Sequence, residues 1–431
     1  MINKLVYLHI GFDKTGSSSI QATLSQNVEI LEKLDYTYPL ADNPLASANQ
    51  SRQMYSLFSS KPYAFAENIR LGWSKHKVDS ANKAYELDLR KALGNKNRVV
   101  ISGEAISHLD IKGLERCRDY FINKAFRLKV IAFIRNPLDM VQSGTQQRIR
   151  SGVPIFTSNM MVVRSRFIKS VKDVFKDSVK FIPFSIACEH KNGVVGSFFE
   201  QLEIVDQTPI KFIRANVSLS NQATRLINFI NLNEPFIVDG KPNPNRSQKD
   251  IEFLSKIPGK KFSLSKQEWI PVFDQVELES EKIIKVLGDE FGSSNLNLEQ
   301  FQDQNNDCFY DVDNRVVDFL ASVLPSLSAS GYDLVKKYFD FNPYLSEEIK
   351  KKSNFLFRQE TIKYYLKDAQ TINYLRDAAL LVEKTDFKVA YDLMRLAFLG
   401  RPNGPFIFKK YKNYYLQLIK LSSKEFYSAI I

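Results

Sequence analysis

Residues 4–21 read KLVYLHIGFDKTGSSSIQ, and the fold of the chain follows from this stretch. Lys4 to Ile10 is a short apolar run with β-branched and aromatic residues, the pattern of a buried strand. Gly11-Phe-Asp-Lys-Thr-Gly-Ser follows as a loop, and then Ile20, Leu24, Val28 and Leu31 recur at helical spacing. Ser17, Ser18 and Ser19 stand where helix N-caps favour hydroxyls. A strand turning into a helix N-terminus presents free backbone N–H groups and the positive end of the helix dipole, so this loop suits phosphate. Gly16 lets the backbone come close to a ligand, and the hydroxyls of Thr15, Ser17, Ser18 and Ser19 add donors.

Gly11 and Gly16 have the spacing of a Walker A loop, GxxxxGK[ST], but position 17 is Ser where that loop needs Lys, and the lysine stands earlier, at Lys14. That argues against an ordinary ATPase or GTPase. Taken alone, the loop would also fit a plain Ser/Gly-rich helix cap.

Outward from this loop, Arg98 to Ser102 (RVVIS) predicts a second strand ending at Gly103-Glu104, Arg127 to Ile134 (RLKVIAFI) a third ending at Arg135, and Val179 to Phe184 a fourth. Strands alternating with helices predict an α/β fold with a mostly parallel sheet, whose ligands bind beyond the carboxyl ends of the strands. The loops after Ile10, Ser102 and Ile134 should therefore share one rim. Residues 40–95 are irregular, with a helix near 80–93. Residues 239–271, rich in Pro, Lys, Asn and Ser, read as a long loop, 272–291 as helix and 292–313 as a polar linker. Beyond that the pattern is helical to the end, with a repeat-like helical hairpin near 370–420. The expected division is a nucleotide-binding domain over 1–300 and a helical extension over 301–431.

Asn136 and Pro137 suit the cap and first position of a helix running to about Ser151, with Gly152 as its C′ residue. On that helix Ser143, Gln147 and Arg150 share one face. Arg135 at the strand end suits a bidentate grip on a phosphate. Glu104 follows the second strand on the same rim as Lys14. His108 lies four residues on and could flank the same site; His9, inside the first strand, reads as a packed residue.

The segment HIGFDKTGSSSIQ resembles the 5′-phosphosulfate-binding loop of PAPS-dependent sulfotransferases, most of all the bacterial glycan-type members that open with HIGxxKTGTTxIQ. His9, Gly11, Lys14, Thr15, Gly16, Ile20 and Gln21 match that pattern, and Ser17 and Ser18 keep the hydroxyls of its threonines. Asp13 departs from it; an acid there points to solvent or holds Lys14 in place. Arg135 with Ser143 resembles the family's 3′-phosphate clamp, and SGEAIS around Glu104 resembles its Ser-Glu motif. Asn216-Val-Ser-Leu-Ser also looks like a family feature. The resemblance implies a P-loop-like three-layer sandwich and PAPS as co-substrate, leaving 3′,5′-ADP. It implies Lys14 to Ser19 on the 5′-phosphosulfate, Arg135 and Ser143 on the 3′-phosphate, Lys14 offsetting charge on the leaving oxygen, and Glu104 or His108 as base. No metal is required. Tyr391 to Ile407 resembles helical-hairpin tails of bacterial polysaccharide-biosynthesis proteins, which implies a cell-envelope or capsular glycan acceptor and a protein partner for the C-terminal helices. A kinase or NTPase with a variant phosphate loop, and a non-catalytic scaffold, stand as alternatives.

The chain has 431 residues, 44% of them apolar and 25% charged, which suits a globular protein with a large core. Its net charge of +12 favours anionic partners, but the basic residues are scattered and form no nucleic-acid arm. Cys117, Cys188 and Cys308 are too widely spaced for a disulfide framework or a CxxC metal site. No apolar run approaches the ~18–20 residues of a membrane helix, and no export signal is visible, so a cytoplasmic location is expected.

Overall fold

The computed structural model describes residues 4–39, 49–94, 97–153, 163–214, 218–238, 241–301, 312–342, 345–365 and 368–428. The chain divides into two compact units, one of residues 1–224 with 260–309, the other of 225–259 with 310–431.

The first unit opens with β1 (Leu5–Ile10), α1 (Ser17–Gln26), α2 (Val28–Lys33), β2 (Tyr36–Thr37), α3 (Ser51–Phe58), α4 (Ala66–Arg70) and α5 (Lys75–Gly94). It continues through β3 (Arg98–Gly103), α6 (Ile111–Ile122), β4 (Arg127–Ile134), α7 (Pro137–Arg150), α8 (Ser165–Phe175), β5 (Val179–Pro183), α9 (Phe184–Glu189) and α10 (Gly193–Gln201). The five strands form one sheet in the order β2-β3-β1-β4-β5, every pairing parallel. β1 is the central strand, in register with β3 from Leu5↔Arg98 to Ile10↔Gly103 and with β4 from Leu5↔Arg127 to His9↔Ile131.

Alternation along β1 sends Val6, Leu8 and Ile10 to one face and Tyr7 to the other, and both faces are covered. The first face packs on Met54 and Phe58 of α3, Leu89 of α5, Leu114 and Phe121 of α6, and Ile168 and Val171 of α8. The second packs on Ile20 and Leu24 of α1, Leu31 of α2, and Phe198 and Phe199 of α10. Each of these apolar side chains contributes about 1.5–3 kcal/mol by leaving water. The result is a sheet between two helical layers. The helix after β1 lies on one face, and α6 after β3 and α8, the second helix after β4, pack on the other. That arrangement opens a crevice over the carboxyl end of β1.

β2 has only two residues and was not expected. The stretch 239–271 is not the long loop its composition suggests. Its described part holds one strand of a small antiparallel hairpin, β6 (Ile237–Val238) with β7 (Lys241–Pro242), then α12 (Gln248–Leu254) and α13 (Lys266–Trp269). α11 (Asn221–Asn233) precedes this hairpin and α14 (Phe273–Leu287) follows it. The expected linker at 292–313 begins as packed chain, because Leu296, Leu298 and Phe301 cover a cluster of Val141, Phe262, Leu264, Trp269, Val272 and Val276. Residues 302–311, with Cys308, and residues 215–217 of the Asn216 segment lie outside the described residues.

The C-terminal region is helical: α15 (Asn314–Val323), α16 (Ala329–Phe341), α17 (Glu347–Tyr365), α18 (Ala369–Val382), α19 (Phe387–Gly400) and α20 (Pro405–Ser428). The last three stack as consecutive antiparallel hairpins, and Ala379, Ala390 and Ala397 allow close approach around Met394, Ile407 and Tyr414. No described helix is long and apolar enough to cross a membrane.

Candidate active site

The loop Gly11–Gly16 leaves the central strand at the crevice. Lys14 has φ 66, in the left-handed region, which costs a lysine on the order of 1–2 kcal/mol and places it in a turn held by its surroundings. Gly16 follows at φ 80 and is itself the N-cap of α1, without a side-chain cap. The serines are therefore not caps: Ser17 is the first helical residue and Ser18 is exposed. Thr15 gives its hydroxyl proton to the Phe12 carbonyl at 2.7 Å, closing the loop rather than facing a ligand.

Gly11 is required by close approach. A Cβ there would come 2.4 Å from Ser17 Oγ and 3.0 Å from Glu104 Cα, so the loop and the turn after β3 touch through this glycine. Ser17 is 4% exposed, and its hydroxyl has no protein partner.

Arg135 ends β4 and donates from Nη1 to the Lys14 carbonyl at 2.9 Å, with its guanidinium over the Phe184 ring at 5.1 Å. Its Nε is buried and without a partner. A buried unsatisfied donor is costly, so Ser17 Oγ and Arg135 Nε are groups that an anion would satisfy. Asn136 caps α7 by accepting from the Leu138 N–H at 3.0 Å and ties to Ser293 Oγ at 2.6 Å; Pro137 takes the first helical position, and Gly152 follows the helix at φ 90.

Ser143 is half-buried on α7, one turn before Gln147, whose Oε1 accepts from Lys14 Nζ at 2.7 Å. The shared face of Ser143, Gln147 and Arg150 thus adjoins the lysine. Burial lowers the Lys14 pKa; the Glu104 and Asp13 carboxylates oppose that, while Arg135 and Arg150 add to it.

Glu104 opens the turn after β3. Ser51 Oγ, at the start of α3, accepts its N–H at 2.6 Å, and Gln50 Oε1 accepts that of Ser102 at 3.0 Å, so residues 50 and 51 brace the strand end. Burial, then the negative charge of Asp13 and a hydrogen bond with it, raise the Glu104 pKa to about 7; Lys14 and Arg164 pull against them.

Asp13 does not simply point to solvent: it pairs with the guanidinium of Arg164 and acts by charge on Glu104 and on Lys14, while the hydrogen bond of the Lys14 ammonium goes to Gln147. His108 is the more peripheral candidate. Its Nε2 lies 3.9 Å from Asp13 Oδ1, its side chain is 38% exposed, and its ring leans on Phe167 at 5.3 Å. Burial lowers its pKa, and Arg164 and Arg166 add to that against Asp13. His9 is fully buried, as expected of a packed residue, with Nδ1 on Ser102 Oγ at 2.8 Å.

Lys14, Glu104 and Arg135 therefore come together at one rim, with His108 at its edge. Arg164 carried no sequence signal, since it meets Asp13 across 151 positions. Gln147 is placed beside Ser143 by its i+4 spacing, and the structure adds its bond to Lys14. Among the described residues no group of three or more His, Cys, Asp or Glu could hold a metal ion.

No protein-family model matches the chain. No curated protein matches it. Among solved structures, a sulfotransferase from Alicyclobacillus acidocaldarius is similar over 50% of this chain and 87% of that one, at 15% identity and a TM-score of 0.33.

Proposed function

We propose that the protein is a PAPS-dependent sulfotransferase that moves a sulfuryl group to a hydroxyl or amine of an acceptor, a cell-envelope or capsular glycan. The observation that supports this reading is the nearness of two elements suited to anions and a carboxyl group: Arg135 donates to the Lys14 carbonyl at 2.9 Å, and the charges of Lys14 and Glu104 act on each other. A doubly phosphorylated adenosine needs two such grips on one rim.

On this reading residues 1–300 are the catalytic domain and 301–431 a helical extension. The N–H groups of the first turn of α1, Ser17 Oγ and Lys14 hold the 5′-phosphosulfate. Arg135 and Ser143 hold the 3′-phosphate. The donor supplies a sulfuryl group on a phosphate leaving group. Glu104 takes the acceptor proton as the acceptor atom bonds to sulfur and the bond from sulfur to the phosphate oxygen breaks. Lys14 offsets the charge left on that oxygen. As in phosphoryl transfer, positioning and electrostatics supply most of the rate enhancement.

Thermal shift with 3′,5′-ADP, ATP and AMP tests the reading. A ligand at a hundred times its Kd stabilises by about 2.7 kcal/mol, so 3′,5′-ADP should raise Tm clearly, and Lys14→Ala and Arg135→Ala should largely abolish the rise. No shift, or a shift with ATP alone, refutes the donor assignment. Glu104→Gln should keep the 3′,5′-ADP shift and lose turnover; unchanged turnover transfers the base to His108.

A further inference from the structure

One guanidinium of the first unit is held in place without a polar partner. Arg52 is the second residue of α3 and follows Ser51, whose hydroxyl oxygen accepts the Glu104 N–H. Arg52 is half-buried and lies over the ring of Trp73 at 4.4 Å, and among the described residues its N–H groups have no hydrogen-bond or ion-pair partner. The acid that acts on it by charge, Glu67, pairs with Arg70 at 3.8 Å. Lys77 Nζ lies over the same Trp73 ring at 5.8 Å, and Lys75 Nζ over the ring of Tyr63, 45% exposed, at 5.5 Å. Neither ammonium has an ion-pair partner among the described residues. Lys75, His76 and Lys77 also open α5, whose first turn has no acid, so the positive end of the helix dipole adds to their charge.

The support beneath these cations is rigid. Asn68 of α4, 1% exposed, donates to the Pro62 carbonyl at 2.8 Å and to Ser56 Oγ of α3 at 3.4 Å, and its own carbonyl accepts the Trp73 N–H at 3.1 Å. Phe65 stacks on Tyr55 of α3 at 4.4 Å. The segment that carries Trp73 is thereby pinned to α3, and the indole fixes the plane of the Arg52 guanidinium by cation–π attraction. A guanidinium already fixed loses little freedom when it grips a ligand.

We propose that Arg52, Lys75 and Lys77, carried on Trp73 and Tyr63, form a subsite for a carboxylate-bearing saccharide, the part of the acceptor that docks beside the group to be sulfated. That the ligand is a saccharide rests on the proposed transfer to a glycan; that it is acidic rests on the cations themselves. Two parallel N–H donors of a guanidinium match the two oxygens of a carboxylate, which selects a uronate over a neutral sugar. Tyr63 and Trp73 add apolar surface with polar edges, which suits a sugar ring. Ser51 ties the subsite to the chemistry. Its Cα is about 3.8 Å from that of Arg52, so an acid held by Arg52 sets where the acceptor lies against the Glu104 turn.

Tryptophan fluorescence of the full-length protein, without nucleotide, tests this. The chain has two tryptophans, and Trp269 is 1% exposed, so a ligand at the subsite is read by Trp73. Trigalacturonate at low ionic strength should change the emission saturably, and the change should vanish in Trp73→Phe. Arg52→Gln should weaken the affinity roughly tenfold or more, Arg52→Lys should not restore it, and about 1 M salt should weaken it strongly. Maltotriose, the neutral control, should give no change. No saturable change with trigalacturonate, the same affinity in Arg52→Gln, or an equal response to maltotriose overturns the subsite. A single-stranded oligonucleotide that binds as tightly as trigalacturonate overturns the saccharide assignment. Should Arg52→Gln fail to fold, Lys77→Gln, whose side chain is exposed, should weaken binding several-fold, and unchanged binding there counts as refutation. Because no nucleotide is present, a negative result here leaves the 3′,5′-ADP experiment standing, and the reverse holds equally.

Discussion

Gly16→Ala tests the loop geometry independently of any ligand. Two costs are readable at this position. The residue has φ 80, a left-handed conformation that disfavours a Cβ by about 1–2 kcal/mol. The new Cβ would also lie 2.6 Å from Val194 Cγ1, a contact that real Cβ atoms do not make. Val194 belongs to α10 and is 9% exposed in the core that covers this face of the sheet, so it cannot swing into solvent. Overpacking of this kind costs about 1–3 kcal/mol, which brings the expected loss to roughly 2–5 kcal/mol. Val194→Ala removes the clashing methyl and leaves the backbone cost. A double-mutant cycle by urea denaturation should therefore give a favourable coupling of about 1–3 kcal/mol, with the backbone penalty persisting in the double variant. An unchanged m-value would show that the loss lies in the folded state. A Gly16→Ala loss under about 0.5 kcal/mol, or a coupling of zero, refutes the described turn, because both are set by the position of α10 against this loop.

Two further outcomes follow from buried polar groups. Burial holds the His9 pKa down to about 3, below its unfolded value near 6.5, so His9 stabilises the fold fully above that value and progressively less as pH falls toward 3; stability measured between about pH 6 and about pH 4 should drop roughly 2–3 kcal/mol more in the wild type than in His9→Gln, and parallel curves would contradict the burial. In the second unit Asp250, 3% exposed, accepts the Ser328 N–H at 2.9 Å and the Ser328 hydroxyl that caps α16, so Asp250→Ala should weaken hydrogen-exchange protection in α16 by about 1–3 kcal/mol, and unchanged protection would remove Asp250 from that role.

The sheet is legible in the sequence because four of its strands are apolar runs of five to eight residues, long enough to show their period. β2 is illegible for the same reason in reverse: Tyr36 and Thr37 carry no pattern, and only the neighbouring Arg98 register makes them a strand. α12 and α13, of seven and four residues, are too short to display helical periodicity against a Pro- and Asn-rich background. At the site, the donors of the loop are local and could be read. Ser17 misled because a helix can begin at a left-handed glycine with no side-chain cap, so its hydroxyl does not make the capping bond that composition assigns to it. Arg164, Ser51 and Gln50 enter only through the tertiary fold.

Asp13, an acid that looks wrong beside the loop lysine, has a cation of its own in Arg164. Paired in contact with Arg164, it forms with that guanidinium a near-neutral unit whose field falls off faster than that of a single charge. Burial, then the charge of Asp13, raise the Glu104 pKa, and the charges of Lys14 and Arg164 oppose that rise, while Asp13 also acts by charge on Lys14. Arg164 is held in place by Glu279, which accepts its backbone N–H from inside the core. It reaches the loop from 151 positions along the chain, which is why the loop alone reads as an anion holder.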